Sequence, residues 1–464
     1  MTDAAPRLAA LAETLLGAPL PVRIRAWDGS EAGPPAGPAL VIHHRRALRR
    51  MLWKPGEVGL ARAWVSGDLT VEGDLYDLLD RVSGLLWQRS PDPDDEPGAP
   101  PDGRPQGPPG APPEGWAAGA LAAAAGALEF VRDPGRRAAL RELTALAGPL
   151  PPPAPPGEEV PRRAGPRHTK VRDRQAISHH YDVGNDFYAL VLGPSMVYSC
   201  AYWSPGGDLE GAQRDKLDLV CRKLGLRPGD RLLDVGCGWG SMVLHAAREY
   251  GVRATGITLS REQAAFARKR IAEEGLTDRI EIRVQDYRDV VDGPYDAISS
   301  IGMAEHVGSA RYRQYAGSLY ALLRPGGRLL NHQIARRPEA DAAREAAYRI
   351  DPFIDAYVFP DGELSPVGTT VGELERAGFE VRDVEALREH YALTLRAWVT
   401  RLEEHWEEAV RLTSPGRARV WLLYMAASAL GFEQNRLGVN QVLAVRTPGD
   451  GAAGLAPRTR EWLG

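Results

Sequence analysis

The segment that most constrains the fold is a glycine-rich run at residues 231–240, RLLDVGCGWG. Its first half, Arg231–Val235, has the apolar composition of a buried strand, and the residues after the run have the spacing of a helix. Gly236, Gly238 and Gly240 allow the backbone to turn sharply between the two and to approach a ligand closely. The run therefore predicts a strand, a tight turn and a helix, with a ligand site at the turn.

The chain around this run alternates strand-like and helical patterns from about residue 165 onward. Alternation of this kind is typical of a mainly parallel sheet that helices cover on both faces. The predicted strands are Arg231–Val235, Arg253–Thr258, Ile280–Val284, Ala297–Ser300, Arg328–Ile334, Val381–Val384 and Gln441–Arg446. The predicted helices lie near Met242–Tyr250, Arg261–Glu274, Ala310–Leu323 and Val371–Ala377. The predicted fold class is α/β, with a Rossmann-like domain of seven strands.

The glycine run by itself also fits a plain strand-to-helix turn or a dinucleotide site. A dinucleotide site would place an acidic residue about 20 positions on, at the end of the second strand. That strand ends GITLS at residues 256–260, which contains no acid. Asp234 at the end of the first strand and Pro325-Gly-Gly before a late strand are instead usual in methyltransferases that use S-adenosylmethionine (SAM). These features favour SAM as the cofactor.

The remainder of the chain predicts a small domain and a linker. Residues 1–90 predict an α+β domain, with helices at Leu8–Leu16, Gly59–Leu69 and Asp74–Leu86 and strands at Val22–Trp27 and Ala39–His43. Of the 38 prolines, 19 lie between Pro91 and Pro166. Residues 91–165 are therefore expected to be a Pro/Gly/Ala-rich linker with a helical segment within 115–148. We expect the catalytic domain over residues 166–450 and a tail over 451–464.

Composition excludes several other classes of protein. A formal net charge of −4 argues against a nucleic-acid partner, which would need a broadly basic domain. Three cysteines exclude a disulfide scaffold, fit a reducing cytosol and show no metal-ligand spacing. The first 20 residues lack a signal peptide pattern, and no stretch is long and apolar enough to span a bilayer. We therefore expect a cytoplasmic protein that holds no metal.

The motifs together resemble the cyclopropane-fatty-acyl-phospholipid synthase family, which includes the mycolic acid cyclopropane synthases. The resemblance runs from about residue 178 to 446, and residues 59–73 resemble more loosely the small N-terminal domain of phospholipid-acting members. The motifs that carry it are HYDVGNDFY from His180, YSCAYW from Tyr198, DVGCGWG from Asp234, GITLSREQ from Gly256, QDYRD from Gln285, SIGMAEHVG from Ser300, Asp351-Pro352 and YVFP from Tyr357.

The resemblance implies which residues contact SAM and which hold a second ligand. The SAM positions are Tyr198, Ser199, Gly236, Gly238, Leu259, Gln263, Gln285, Asp286, Ile301 and Gly302. Gln263 would stand in for the missing ribose acid, and Gln285 and Asp286 would flank the adenine. The family also holds a bicarbonate ion, whose ligands map onto backbone groups of Cys200 and Ile334 and side chains of Glu305, His332 and Tyr391.

The reaction that the resemblance implies adds the SAM methyl carbon across a cis double bond of a phospholipid acyl chain. Methyl transfer leaves a carbocation, which needs a dry pocket, aromatic faces and a base. Bicarbonate, oriented by Glu305 and His332, would be that base. Candidate wall residues are Tyr202, Trp203, Tyr315, Phe353 and Tyr357. Position 304 is Ala where many members have Phe, which leaves the regiochemistry open.

Several alternatives stay open at this point. The enzyme alternatives are a methyltransferase that leaves a methylene-branched chain and a small-molecule N-methyltransferase, and the other class is a non-catalytic lipid-binding protein. Glu305, His332 and Tyr391 also have purely structural readings, as a helix-terminal acid and as core residues. Cys200 is expected to act through its backbone, because the chemistry needs no covalent enzyme intermediate.

Two basic clusters predict contact with an anionic membrane. The first contains His43, His44, Arg45, Arg46, Arg49, Arg50 and Lys54, and the second contains Arg162, Arg163, Arg167, Lys170, Arg172 and Arg174. Such clusters are usually solvated surface, but a lipid substrate makes headgroup binding an alternative, worth about 1 kcal/mol per charge near the surface. We expect peripheral association with the inner face of the membrane. The resemblance also implies a homodimer.

Overall fold

The computed structural model describes residues 3–87, 134–148, 151–160, 167–170, 172–173, 183–339, 345, 348, 350–451 and 460. The chain divides into two compact units, one formed by Met1–Gly157 with Glu339–Tyr348 and one formed by Glu158–Pro338 with Arg349–Gly464. Predictions for the proline-rich run at 88–133, for the start of the His180 motif and for most of the tail lie outside the described residues.

The first unit combines a four-stranded sheet with five helices among its described residues. The sheet has the order β2-β1-β3-β4, in which β1 and β3 are parallel and the two outer pairs are antiparallel. Its strands are β1 (Arg23–Arg25), β2 (Glu31–Ala32), β3 (Ala39–Ile42) and β4 (Leu69–Glu72). Its helices are α1 (Ala4–Leu16), α2 (Arg46–Trp53), α3 (Glu57–Val65), α4 (Leu75–Trp87) and α5 (Pro134–Ala147).

The structure corrects the helix predicted over Gly59–Leu69. The helix α3 ends at Val65, and Leu69 begins the strand β4. Gly67 has a φ of +68° between them, a left-handed conformation that ends a helix. The predicted helical segment within 115–148 is observed as α5, where Arg7 Nε of α1 donates to Glu142 Oε1 at 2.8 Å.

The second unit carries the predicted seven-stranded sheet, and the α/β fold class is confirmed. The order is β10-β11-β9-β8-β5-β6-β7, in which the five strands from β9 to β7 are parallel and β11 runs antiparallel to both of its neighbours, β10 and β9. The strands are β5 (Arg231–Val235), β6 (Arg253–Thr258), β7 (Ile280–Val284), β8 (Tyr295–Ile301), β9 (Leu323–Arg336), β10 (Glu380–Ala386) and β11 (Leu437–Val445). The strands β9 and β11 begin earlier than predicted.

Ten α-helices of the second unit lie among the described residues. They are α6 (Asn185–Leu192), α7 (Leu209–Leu224), α8 (Ser241–Tyr250), α9 (Arg261–Glu273), α10 (Ser309–Leu322), α11 (Pro352–Tyr357), α12 (Val367–Arg376), α13 (Arg388–Glu404), α14 (Trp406–Leu412) and α15 (Pro415–Glu433). The four predicted helices correspond to α8, α9, α10 and α12. Two apolar clusters, one containing Val243 and Ala267 and the other Leu319 and Leu374, form the core of this unit.

The strand order places a crevice beside β5. The strand β5 lies between β6 and β8, so the connections that leave its carboxyl end and that of β8 run to opposite sides. Ligands of open α/β sheets bind at such a point, outside the carboxyl ends of the strands. Among the helices that the structure describes, none combines the length and hydrophobicity needed to cross a bilayer.

Candidate active site

The glycine run forms the floor of the site. The strand β5 ends at Val235, and α8 begins at Ser241. Gly236, Gly238 and Gly240 have φ values of +83°, +53° and +84°, which L side chains rarely adopt. The N–H of Gly236 donates to the carbonyl of Ile257 on β6 at 3.0 Å, which holds the turn against the neighbouring strand.

All ten residues predicted to contact SAM line one cavity at this turn. Its empty volume is about 1140 Å³, including the part that opens to solvent. The ten are Tyr198, Ser199, Gly236, Gly238, Leu259, Gln263, Gln285, Asp286, Ile301 and Gly302. Residues that the sequence did not predict also line it, among them Lys216, Trp239, Arg288 and Arg311.

Gln263 has one buried polar atom available for a ligand. Ser260 caps the N-terminus of α9 by accepting from the N–H of Gln263 at 3.1 Å. Gln263 Oε1 accepts from the Thr258 hydroxyl at 2.8 Å, while its Nε2 is buried with no hydrogen-bond partner among the described residues. An amide donor left in this state fits a hydroxyl acceptor such as a ribose oxygen. The donor set therefore fits SAM.

Asp286 is held by an arginine. The guanidinium of Arg288 donates to both carboxylate oxygens of Asp286, at 2.7 and 2.6 Å, and also to Asp173 at 2.9 Å. Burial alone would raise the pKa of Asp286, but the hydrogen bonds and charge of Arg288 lower it overall. The neighbouring Gln285 donates from Nε2 to the carbonyl of Asp289 at 2.8 Å. Both side chains are thus fixed within the protein.

Glu305, Ile334 and His332 form a second group at the carboxyl ends of β8 and β9. Glu305 lies in a short 3₁₀ turn, Ala304–His306, and its Oε1 accepts from the backbone N–H of Ile334 at 2.8 Å. Its Oε2 is buried with no hydrogen-bond partner among the described residues. Burial raises the pKa of Glu305 to about 7. The carboxyl group can therefore gain and lose a proton near neutral pH.

His332 shares this property of an unpaired buried atom. It lies on β9 directly opposite Gln441 of β11, and Gln441 Nε2 is 3.3 Å from His332 Nδ1. In the part of the chain that the structure describes, His332 Nε2 and Gln441 Oε1 are buried without partners. Burial lowers the pKa of His332 well below its usual value, so the ring is neutral. Sequence reasoning missed Gln441, since only the strand register reveals it.

Cys200 and Tyr391 are placed together near the start of α13. Cys200 Sγ donates to the carbonyl of Ala201 at 3.2 Å and lies 3.6 Å from the carbonyl of Leu387, which also accepts from the N–H of Tyr391. Burial raises the pKa of the Cys200 thiol well above its usual value. The thiol is therefore protonated, which agrees with a backbone role rather than a nucleophilic one.

Aromatic rings surround Tyr198 on the wall of the cavity. The ring centroids of Trp398, Tyr188 and Trp421 lie 5.4, 5.7 and 5.8 Å from that of Tyr198. The hydroxyl of Tyr424 is 3.4 Å from the Tyr198 hydroxyl. A cation that lies over the face of such a ring is stabilised by it. No motif singled out Trp421 or Tyr424, because α15 is apolar on most of its surface.

The five wall residues predicted from the sequence concern the acyl-chain pocket rather than the cofactor cavity, and their role stays a prediction. None of them is among the residues that line the described cavity. Tyr202 stacks on His390, Trp203 donates to Thr394, and Tyr315 bonds Ser300, while Phe353 and Tyr357 pack on each other at 5.5 Å. Ala304 is buried in the core cluster of β8 and α10.

Many cations of the two basic clusters are paired within the protein. Arg46 and Arg50 both bond Asp68, which is buried. Arg167 and Arg172 pair with Asp361, and Lys170 pairs with Asp289. Arg162, Arg163 and Arg174 lie outside the described residues. The pairs reduce the charge that these clusters can offer to a lipid surface.

Comparison with known proteins identifies the family. The family model "mycolic acid cyclopropane synthetase" matches residues 168–442. The chain belongs to this family. A protein called a probable fatty acid methyltransferase, from Mycobacterium tuberculosis, is 42% identical over 94% of both chains. Another of that name from Pseudomonas putida is 36% identical over 98% of this chain and 99% of its own.

Relatives named as cyclopropane synthases match about three fifths of the chain. The cyclopropane-fatty-acyl-phospholipid synthase of Escherichia coli K12 is 38% identical over 58% of this chain and 66% of its own. The solved structure of the cyclopropane synthase MmaA2 from M. tuberculosis superimposes with a TM-score of 0.55 at 32% identity, over 60% of this chain and 98% of its own. That of mycolic acid cyclopropane synthase CmaA1, complexed with S-adenosylhomocysteine (SAH), gives 0.54 at 33% identity, over 58% and 97%.

Membership of the family establishes the class of activity. The chain is a SAM-dependent methyltransferase of the cyclopropane synthase and fatty acid methyltransferase family, and it binds SAM. The alternative of a non-catalytic lipid-binding protein is therefore dropped. Among the described residues, no group of histidine, cysteine and carboxylate side chains is arranged to hold a metal ion.

Proposed function

We propose that this enzyme adds the methyl carbon of SAM across a cis double bond of a phospholipid acyl chain and closes it to a cyclopropane. The observation that carries the proposal is the group of buried, unpaired polar atoms on Glu305, His332 and Gln441 near the carboxyl ends of β8 and β9. Buried polar atoms without partners are costly, so a cluster of them calls for a bound ligand, an ordered water or a catalytic role.

The chain's own residues supply a dry and cation-tolerant environment. Bound SAM supplies an electrophilic methyl carbon. An alkene is a weak nucleophile, so the protein contributes mainly by holding the two reactants in line and excluding water. The rings of Tyr198, Trp398 and Trp421 offer their faces to the positive charge that forms on the acyl chain. Trp398 and Trp421 are buried and Tyr198 is half-buried on the cavity wall, which limits the access of water to that charge.

Loss of a proton from the added methyl group closes the ring, and it requires a base. The unpaired atoms of Glu305 and His332 fit a small oxyanion such as bicarbonate, which would supply that base. The backbone of Cys200 and Ile334 and the side chains of Glu305, His332 and Tyr391 would hold it. Glu305, with a pKa of about 7, is suited to take up the proton and release it to solvent.

The phospholipid substrate and a peripheral position at the inner face of the membrane are parts of the proposal. The relative from E. coli is called a phospholipid synthase, and a lipid surface attracts exposed cations. We expect binding to anionic vesicles that weakens as salt rises and when Arg162 and Arg163 are reversed to Glu. Arg253→Glu, at an exposed position at the start of β6, is the matched control. Binding that is unchanged by both salt and the double reversal would contradict the membrane role.

We also propose a homodimer, which sedimentation of the purified protein tests.

Lipid analysis after expression in a host that lacks the activity tests the main proposal. Monounsaturated phospholipid chains should gain the mass of one CH₂ group and lose their alkene signal, while a host that expresses Glu305→Gln should show neither change. Absence of any acyl product with this mass would contradict the proposal.

A second candidate is a methyltransferase that leaves a methylene branch on the acyl chain. It is favoured by the two relatives that match nearly the whole chain, since both are called probable fatty acid methyltransferases. Both products gain one CH₂ group, so mass does not separate them. Proton NMR does, because cyclopropane protons resonate far upfield of exocyclic methylene protons.

A further inference from the structure

Lys216 is a buried cation on the wall of the cofactor cavity with no assigned role. It lies on α7, is 1% exposed, and donates from Nζ to the Ser199 hydroxyl at 2.9 Å. Of the residues that the structure describes, none places a carboxylate at ion-pair distance from it. A buried ammonium without an anion is costly, so such a group is usually paired or binds a ligand.

A second buried lysine of the same helix, Lys223, has carboxylate partners within the protein. Lys223 lies two turns further along α7 and is also fully buried. Its Nζ is paired with Glu385 and lies 3.5 Å from Asp383. The difference between the two lysines is that only Lys216 lines the cavity. Asp234, a buried carboxylate that accepts from the Ser299 hydroxyl, acts on Lys216 electrostatically from beyond ion-pair distance. An anion in direct contact with Lys216 Nζ is therefore expected to come from the cavity.

The other cations of the cavity do not need such a partner. Arg288 is bonded to Asp286 and Asp173. Arg311 is partly exposed, so water solvates its charge. Burial lowers the pKa of Lys216 to about 8, which leaves it mostly charged at neutral pH.

We propose that Lys216 binds the carboxylate of the methionine part of SAM and so positions the cofactor. The proposal rests on SAM binding alone and not on the ring-closing reaction. Bicarbonate is the competing anion, because Lys216 acts electrostatically on His332, which is one of the predicted bicarbonate ligands. The carboxylate is favoured because Lys216 lines the cavity with the ten predicted SAM positions, whereas Glu305 and His332 do not line it.

Calorimetry with two ligands isolates the contribution of the carboxylate. SAH carries the amino-acid carboxylate, and 5′-methylthioadenosine lacks the whole amino-acid part. In buffer free of bicarbonate, Lys216→Met should weaken SAH binding about 10- to 100-fold, as expected for loss of a charged hydrogen bond. It should change the affinity for 5′-methylthioadenosine less than about threefold. Lys216→Gln, which can still donate to Ser199, should behave like Lys216→Met, because both lack the charge.

Control variants and thermal melts separate the proposed role of Lys216 from a structural role and from bicarbonate binding. Lys223→Met should lower stability and leave the ratio of the two affinities unchanged, and thermal melts check the fold of every variant. Equal weakening of both ligands by Lys216→Met and Lys216→Gln would show that Lys216 only supports the Ser199 loop and would overturn the proposal. Unchanged SAH affinity, with turnover that is restored by added bicarbonate, would also overturn it and would assign Lys216 to that anion.

Discussion

The carboxyl edge of the seven-stranded sheet has a cofactor side, which carries the predicted SAM positions, and a reaction side, which carries Glu305, His332 and Gln441. The two sides differ in how many of their buried polar groups have hydrogen-bond partners. On the cofactor side, Thr258 and Arg288 hold Gln263 and Asp286 within the protein, and of the ten predicted SAM positions only Gln263 leaves a buried side-chain atom, Nε2, without a partner in the described chain. On the reaction side, Glu305, His332 and Gln441 each have a buried atom without a partner in the described chain. Apart from Gln263 Nε2 and Lys216, the cofactor side is thus built before the ligand arrives, whereas the reaction side carries a cost that a bound group, a water molecule or a proton can relieve.

Binding a cofactor and transferring a proton make different demands on a site. A cofactor is positioned by groups that are themselves fixed, which favours satisfied hydrogen bonds. A proton-transfer group instead needs a pKa near the working pH, and burial of an unpaired carboxyl achieves that at the expense of stability. Substitutions on the reaction side should therefore lower turnover and leave cofactor binding nearly unchanged. Substitutions on the cofactor side should weaken cofactor binding and leave turnover at saturating SAM nearly unchanged.

The largest expected effect is the loss of turnover in Glu305→Gln. Without an ionisable group at this position, kcat should fall about 10²- to 10⁴-fold, the range expected for general base catalysis. SAH affinity should stay within about threefold of wild type, because Glu305 does not line the cofactor cavity. Steady-state kinetics and calorimetry measure the two. Glu363→Gln, a carboxylate that bonds the N–H of Ser309, is the matched control and should retain activity.

The next effect is a pH-dependent gain in stability for the same variant. Below pH 4.5, the ordinary pKa of a glutamate, Glu305 is protonated in the folded and the unfolded chain. As pH rises toward 7, the unfolded chain releases this proton and the folded chain keeps it, so wild type loses stability over this window. Glu305→Gln avoids that loss.

Denaturant unfolding at several pH values measures this difference. The free energy of unfolding of Glu305→Gln relative to wild type should grow by about 2–3 kcal/mol between pH 4.5 and 7 and stay constant above. A difference that does not change with pH would show that Glu305 is not buried as a strained acid, and the contrast between the two sides would fail.

On the cofactor side, Gln263→Leu should change binding and spare the chemistry. Loss of the unpaired Nε2 donor should weaken SAH about 10-fold, equivalent to one hydrogen bond, and kcat at saturating SAM should change little. Kinetics with varied SAM separate KM from kcat. If kcat fell as strongly as in Glu305→Gln, the division into a holding side and a reacting side would be wrong.

The smallest effect is expected for Cys200→Ala. The thiol is buried and protonated, and the backbone of residue 200 is kept in this variant. Turnover should therefore stay within about threefold of wild type, apart from a modest loss of stability from the small cavity. A loss of turnover as large as that of Glu305→Gln would assign a chemical role to the sulfur.

The sequence predicted the cofactor side much better than the reaction side. Gly236 and Gly238 are dictated by the local geometry of a strand-to-helix turn, so a short motif reveals them. The seven strands follow from periodicity, which is also local. Gln441 meets His332 only through the register of β9 and β11, across 109 positions of the chain. Trp421 and Tyr424 lie on α15, which has no periodic pattern of polar residues. Their position beside Tyr198 depends on the packing of this helix, which a short sequence motif does not indicate.

The most direct test of the central claim uses purified enzyme, SAM with a trideuterated methyl group and vesicles of monounsaturated phospholipid. The acyl product is expected to gain one CD₂ group, because one deuteron is removed from the added methyl. Its proton NMR spectrum should show upfield cyclopropane signals and no alkene signals at the reacting chain. A product that keeps the CD₃ group, or that gains CD₂ without upfield signals from the two ring CH protons, would contradict ring closure.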